Sequence, residues 1–276
     1  HCANLESITI PSSVTSIGSN VFVRCKALEQ IFVENGNNSF VSIDGILFSK
    51  DMRTLICHPS NHFNSIYNIP PSVTTINDFA FSHCANLESI TIPSSVTSIG
   101  SNVFVRCKAL EQIFVENGNN SFVSIDGILF SKDMRTLICH PSNHFNSIYN
   151  IPPSVTTIND FAFSHCANLE SITIPSSVTS IGKSAFSDCT NLKSITIPSS
   201  VTSIEESTFS RCLDLSSITI PSSVTSIGES AFYRCRILSS ISIPSSVTSI
   251  GRYSFYLCQH LKCVIIPSSV TSIGEY

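Results

Sequence analysis

The chain has 276 residues, of which 42% are apolar and only 12% charged, against a usual charged share of about 25%. Fifteen Lys and Arg against 19 Asp and Glu give a formal charge of −4, which excludes the basic surface a nucleic-acid binder needs. No run of about 20 apolar residues occurs, so no segment reads as a membrane-spanning helix.

The sequence starts inside a repeating unit, at His1-Cys2-Ala3-Asn4-Leu5, and stops inside another at Tyr276, so it reads as a fragment of a longer chain. Residues His1 to Gly100 recur unchanged as His83 to Gly182, an offset of 82. Translated units of this kind pack on their neighbours, so length sets the number of turns and not the depth of a core. Residues 1–276 are therefore expected to form a single solenoid.

The first irregularity lies between Pro11 and Pro70, 59 residues apart. There, F-V-S-I-D-G-I-L-F-S sets Asp44-Gly45 between two β-rich runs, the strongest short signal for a two-residue hairpin turn. Leu55 to Pro59 reads as another strand ended by proline. Tyr67-Asn68-Ile69-Pro70 follows so closely that one coil must be cut short or built differently. This excursion, near 34–69, returns near 116–151 with Asp126-Gly127 at its turn.

Beyond it the pattern is even. Pro175, Pro198, Pro221, Pro244 and Pro267 are 23 residues apart, as are Cys166, Cys189, Cys212, Cys235 and Cys258. The unit reads L-x-x-I-x-I-P-S-S-V-T-S-I-G-x-x-x-F-x-x-C-x-x. Leu169, Ile172 and Ile174 alternate with Ser171 and Thr173, as in a half-buried strand that Pro175 ends. Val178 and Ile181 mark a second strand, and Ala185, Phe186 and Cys189 are spaced like one side of a short helical or 3-10 turn. The expected fold is a β-rich α/β solenoid, with short parallel strands and short helical or 3-10 turns.

Leu87-x-x-Ile90-x-Ile92, followed by P-S-S and then V-T-S-I-G, resembles the BspA-type leucine-rich repeat. The N-x-F-x-S-x-D-G-x-L-F stretch, Asn38 to Phe48 and Asn120 to Phe130, resembles a variant of the same repeat. The resemblance covers essentially the whole chain. It implies a leucine-rich-repeat superhelix at the cell surface or outside the cell, and adhesion to a protein or glycan, host extracellular matrix among them. It carries over no catalytic residue.

The strand face is the broad surface such a solenoid offers a ligand. Its candidate residues are Gln30, Phe32, Ser89, Thr91, Gln112, Phe114, Ser171, Thr173, Ser194, Thr196, Ser217 and Thr219. Ser and Thr are equally what any exposed sheet carries as soluble filler. Phe32 and Phe114 stand out as repeated aromatics suited to anchoring an interface. Asn37-Asn38-Ser39 and Asn119-Asn120-Ser121 match the glycosylation sequon, with Asn37 and Asn119 as acceptors in expected loops.

Nine cysteines share one repeat column and are expected as a ladder of reduced thiols, since matching residues on adjacent coils lie farther apart than a disulfide allows. Charged or titratable residues such as Arg24, His83, Asp188, Arg211 and Arg234 precede them. They form either a modest basic ridge or an ordinary solvated edge of the coil, and dilution by Glu29, Glu111, Glu205, Glu206 and Glu229 favours the edge. No C-x-x-C, G-x-S-x-G or P-loop occurs, and rows of identical groups do not converge into a pocket. Neither an enzyme, a metal nor a cofactor is expected. Two alternatives to adhesion stay open, a structural spacer or variable coat and association of copies through exposed strand edges.

Overall fold

The computed structural model describes residues 2–276, divided into two compact units, residues 1–132 and 133–276, with His1 outside the described residues. Both units are built from coils of the same plan: a first strand, a proline-led turn, a shorter second strand and a buried turn segment.

In the second unit the first strands Ile148–Asn150, Ser171–Thr173, Ser194–Thr196 and Ser217–Thr219 form one parallel sheet. Ser240–Ser242 pairs with Cys263–Ile265 in the same manner. The second strands Ser203–Ile204, Ser226–Ile227, Ser249–Ile250 and Ser272–Ile273 form another parallel sheet. The register is one repeat per coil, Ser194 opposite Ser217 and Ser226 opposite Ser249. In the first unit Ser7–Ile10 pairs with Gln30–Val33, and Ile66–Asn68, Ser89–Ile92 and Gln112–Val115 form a parallel sheet.

The excursion is a coil built differently. Phe40–Ile43 and Ile46–Ser49 form an antiparallel hairpin, Ile43 opposite Ile46. Its turn residues Asp44 and Gly45 have φ of 50° and 80°, the doubly left-handed geometry that favours Asp-Gly. Thr54–Cys57 then takes the second-strand position, pairing in parallel with Thr75–Ile76. His58 donates from its backbone N–H to Ala80 O, and the chain returns to the first-strand position at Ile66. First-strand positions Ile8, Ile31, Tyr67 and Ile90 are thus 23, 36 and 23 residues apart, which accounts for the 82-residue offset.

The expected helical or 3-10 turns are absent: no described residue is helical, and the fold is all-β. Around Phe186 the backbone N–H groups divide their partners alternately. Those of Ser184, Phe186 and Asp188 donate to the carbonyls of Glu206, Thr208 and Ser210 on the next coil, at 2.9, 2.9 and 2.8 Å. Those of Ala185, Ser187 and Cys189 close tight turns onto Gly182, Ser184 and Phe186. A 3-10 helix would direct every such N–H inward along its own axis. Ser184 and Asp188, with φ of 53° and 60°, interrupt any right-handed helix once every four residues. The three-residue spacing of Phe and Cys serves either arrangement, which is why the sequence pattern did not separate them.

Inside each coil Leu, Ile, Val, Phe and Cys are buried, as Leu192, Ile195, Ile197, Val201, Ile204, Phe209 and Cys212 illustrate. Phe186, Phe209, Phe232 and Phe255 stack with centroids 5.6 Å apart and nearly parallel planes. The cysteines do more than fill space. The thiols of Cys189, Cys212 and Cys235 donate to the carbonyls of Phe163, Phe186 and Phe209 at 3.0–3.2 Å, as second donors to oxygens that already accept a turn N–H. None of the twelve cysteines forms a disulfide, and burial pushes the thiols of Cys189 and Cys212 well above the usual thiol range. Gly228 lies where two coils approach too closely for a side chain, since a Cβ there would fall 2.6 Å from Glu205 C.

The turn geometry separates two substitutions. Ser184→Gly is expected to leave the urea midpoint unchanged or raise it, because glycine adopts the left-handed conformation without strain. Ser184→Val is expected to cost about 1–2 kcal/mol. A helical segment would instead lose about 0.5 kcal/mol on changing serine to glycine.

Candidate binding face

The first strands carry the candidate residues in register. Ser7 lies opposite Gln30 and Thr9 opposite Phe32. Ile66, Ser89 and Gln112 form one row, and Asn68, Thr91 and Phe114 the next. In the second unit Ser171, Ser194 and Ser217 share a row, and Thr196 lies opposite Thr219. Ser171, Thr173, Ser194, Thr196, Ser217 and Thr219 are exposed, while Ser89, Thr91 and Gln112 are half-buried. Alternation along the strands accounts for this, since the intervening Ile90, Ile113 and Ile195 are buried.

Phe32 and Phe114 are each 45% exposed. The neighbouring hairpin sets what surrounds them. Gly45 O accepts the Ile31 backbone N–H at 2.8 Å, so the tip lies alongside the strand that carries Phe32. A Cβ on Gly45 would come within 3.1 Å of Gln30 Cγ. Gln30 is therefore a seat for the hairpin tip, and Gln112 is the seat for Gly127.

From the other side, His62 donates through Nε2 to Asp44 O at 2.8 Å, and its ring stacks on Phe63 at 4.6 Å. Four apolar side chains are thus gathered about one tip and left exposed: Phe32, Ile43, Phe63 and Ile66. The last three were not singled out from sequence. Aligning I-Y-N-I-P at residues 66–70 with S-I-T-I-P at 89–93 would have shown an isoleucine in an outward-facing serine row.

Beneath the tip His58 is buried, with its ring 4.8 Å from His62 and 5.1 Å from both Tyr67 and Phe81. Nδ1 lies 3.1 Å from Pro59 O and Nε2 has no hydrogen-bond partner, so the neutral ring is held with its proton on Nδ1. Burial, reinforced by His62, pushes its pKa down to about 3.

Residues 1–68, 57–152 and 156–276 match the BspA-type leucine-rich repeat region. The chain belongs to this family. Comparison with curated proteins gives no match. Among solved structures it is similar to a leucine-rich cell surface protein of Faecalibacterium prausnitzii, at 29% identity and a TM-score of 0.65, covering 98% of this chain and 78% of the other. A leucine-rich-repeat protein of Eubacterium ventriosum is 26% identical with a TM-score of 0.57, covering 95% and 78%. The pneumococcal vaccine antigen PcpA shares the fold at 24% identity and a TM-score of 0.67; the match covers 97% of this chain and 62% of PcpA.

The BspA-type coil also explains the sequons. Asn37 is buried; its Nδ2 donates to Pro11 O and Val14 O at 2.8 and 3.0 Å, and its Oδ1 accepts from Ser39 N and Phe40 N. Asn119 is buried on the equivalent partners. The amide does the work that the second serine of P-S-S does elsewhere, as when Ser223 Oγ donates to Val201 O at 2.6 Å. A glycan on Nδ2 would displace these bonds. The ridge beside the cysteines is not uniformly basic either, since Asp188 takes Arg211 at 2.6 Å and His165 at 3.8 Å. Among the described residues no group of three or more His, Cys, Asp or Glu could hold a metal ion.

Two outcomes follow from these contacts. Asn37→Ala is expected to lower stability by about 2–4 kcal/mol in urea melts, since two backbone donors and the Val14 carbonyl lose their partner and Pro11 O keeps only the Val14 N–H. Mass spectrometry of folded chain secreted from eukaryotic cells should find Asn37 unglycosylated. Acid is also expected to destabilise the excursion. The unfolded chain takes up the His58 proton near pH 6.5 and the folded chain near 3, so stability is full above 6.5 and falls as pH drops through that window. The loss by about pH 5 is on the order of 2 kcal/mol, and a His58→Gln variant should show a flatter pH dependence of its urea midpoint.

Proposed function

We propose that this chain is a non-catalytic binding scaffold at a cell surface or outside the cell, engaging a protein or glycan through its first-strand face. The observation that carries the reading is the exposed apolar group at the hairpin tip, repeated within the same unit. Phe32 and Ile43 are 45% and 44% exposed, and Phe114 and Ile125 repeat both values. Exposed aromatics in a concave or stepped surface are the usual energetic centre of an interface, whereas scattered single apolar residues are not. Two equal anchors on one support would add avidity.

Membership of the BspA-type family supports this, as does the likeness to a protein described as a leucine-rich cell surface protein. No helix is long and apolar enough to cross a membrane among the described residues. The regular stretch supports a second role, that of spacer. Its rows from Ser171 to Thr219 are small, exposed and nearly uniform, which suits projection more than recognition.

The test is binding of the chain to immobilised extracellular-matrix proteins and a glycan panel. Phe32→Ala or Phe114→Ala alone is expected to weaken attachment at least tenfold, and the pair to abolish it. Saturable binding that survives the double change would remove the aromatic anchors. A chain that binds nothing on either panel would favour the spacer.

A further inference from the structure

The last coils of the second unit carry a different feature on their turn segments. Tyr233 and Tyr256 stand where earlier coils have Ser187 and Ser210, and Tyr253 and Tyr276 where they have Ser184 and Ser207. Tyr233 and Tyr256 stack with centroids 6.0 Å apart and planes 18° from parallel. Tyr253 and Tyr276 stack at 4.8 Å and 11°. The two stacks meet edge to face, at 66° between Tyr253 and Tyr256 and 75° between Tyr256 and Tyr276. They wall an open recess of about 580 Å³ whose remaining lining includes the hydroxyl residues Ser207 and Ser230.

We propose that this recess binds a neutral pyranose oligosaccharide. A right-angled aromatic corner presents electron-rich faces to the weakly positive C–H face of a sugar ring, and the Tyr and Ser hydroxyls meet its hydroxyl rim. A volume of this size fits the usual range of small-ligand sites, about 300–1,000 Å³. Tyrosine loses little rotamer freedom on binding, so the area comes at low entropic cost.

Charge selects against the other ligands an aromatic corner attracts. Arg252 already lies over the Tyr253 ring at 4.6 Å and near the Tyr276 ring at 5.8 Å, and Arg234 lies over Tyr233 at 5.4 Å. A quaternary or primary ammonium would bring a further positive charge beside these guanidinium groups, which a neutral sugar does not. An acidic sugar finds Arg252 already engaged, paired with Glu275 at 3.5 Å and donating to the Tyr253 hydroxyl at 3.0 Å. The site is separate from the strand face and independent of Phe32.

The chain has no Trp and six Tyr, four of them in this recess, so tyrosine fluorescence reports on it directly. Cellobiose, lactose, maltotriose and tri-N-acetylchitotriose are titrated into the 276-residue chain, with sialyllactose and choline as controls. At least one neutral sugar is expected to give a saturable change in emission. Tyr233→Ser with Tyr256→Ser should weaken it more than tenfold. Serine occupies these places in other coils, so thermal unfolding should shift little, and Phe32→Ala should leave the titration unaltered. No response to any neutral sugar would overturn the proposal. So would a response unchanged in the double variant, or a preference for sialyllactose or choline.

Discussion

A backbone N–H inside a stacked coil must find an acceptor either in its own coil or in the next one. In this chain the division is regular, and most of the structure depends on it. Phe186 N–H reaches Thr208 O on the following coil, while Ser187 N–H turns back to Ser184 O. Alternate groups therefore lock the stack and shape the turn with the same six-residue stretch, Ser184 to Cys189. Cys212 Sγ, Ser223 Oγ and Thr225 Oγ1 add side-chain links, each to a carbonyl of the preceding coil. The low charge and high Ser and Thr content are consequences of this wiring. Short neutral donors satisfy a neighbour's carbonyl without burying an ion.

Much of this was legible in the sequence. The 23-residue period put Ile195 inward and Ser194 and Thr196 outward, and Asp44-Gly45 marked the hairpin. What the sequence did not distinguish was a helical turn from a ladder of left-handed turns. Helix and ladder both bring Phe186 and Cys189 to the same side. The only local hints lie at positions such as Asn20 and Asp188, residue types that tolerate positive φ. Asn37 shows the opposite limit. Its sequon describes three residues, whereas its burial is decided by Pro11 and Val14, a full coil earlier.

The binding surfaces follow the same logic. A perfectly translated coil repeats small polar groups in rows, so recognition is concentrated where the translation is broken. The hairpin breaks it in the first unit and leaves Phe32, Ile43, Phe63 and Ile66 exposed about one tip. Replacement of serine by tyrosine breaks it in the second unit, at places where the turn backbone is already fixed. Of these two devices, the tyrosines add a local surface without altering the bonds between neighbouring coils, whereas the hairpin takes over part of the ladder, Gly45 O accepting the Ile31 N–H. His58 and Asn37 are the internal supports of the first device, and their burial ties the hairpin to the stability of its coil.

Residue-resolved amide hydrogen exchange tests the wiring most directly. If alternate turn amides are bonded between coils, Phe186 and Asp188 should exchange as slowly as Ile197, whose N–H donates to Thr219 O on the next coil. Exchange of Phe186 and Asp188 orders of magnitude faster than Ile197 would contradict the account. It would mean that the turn segments open independently of the stack.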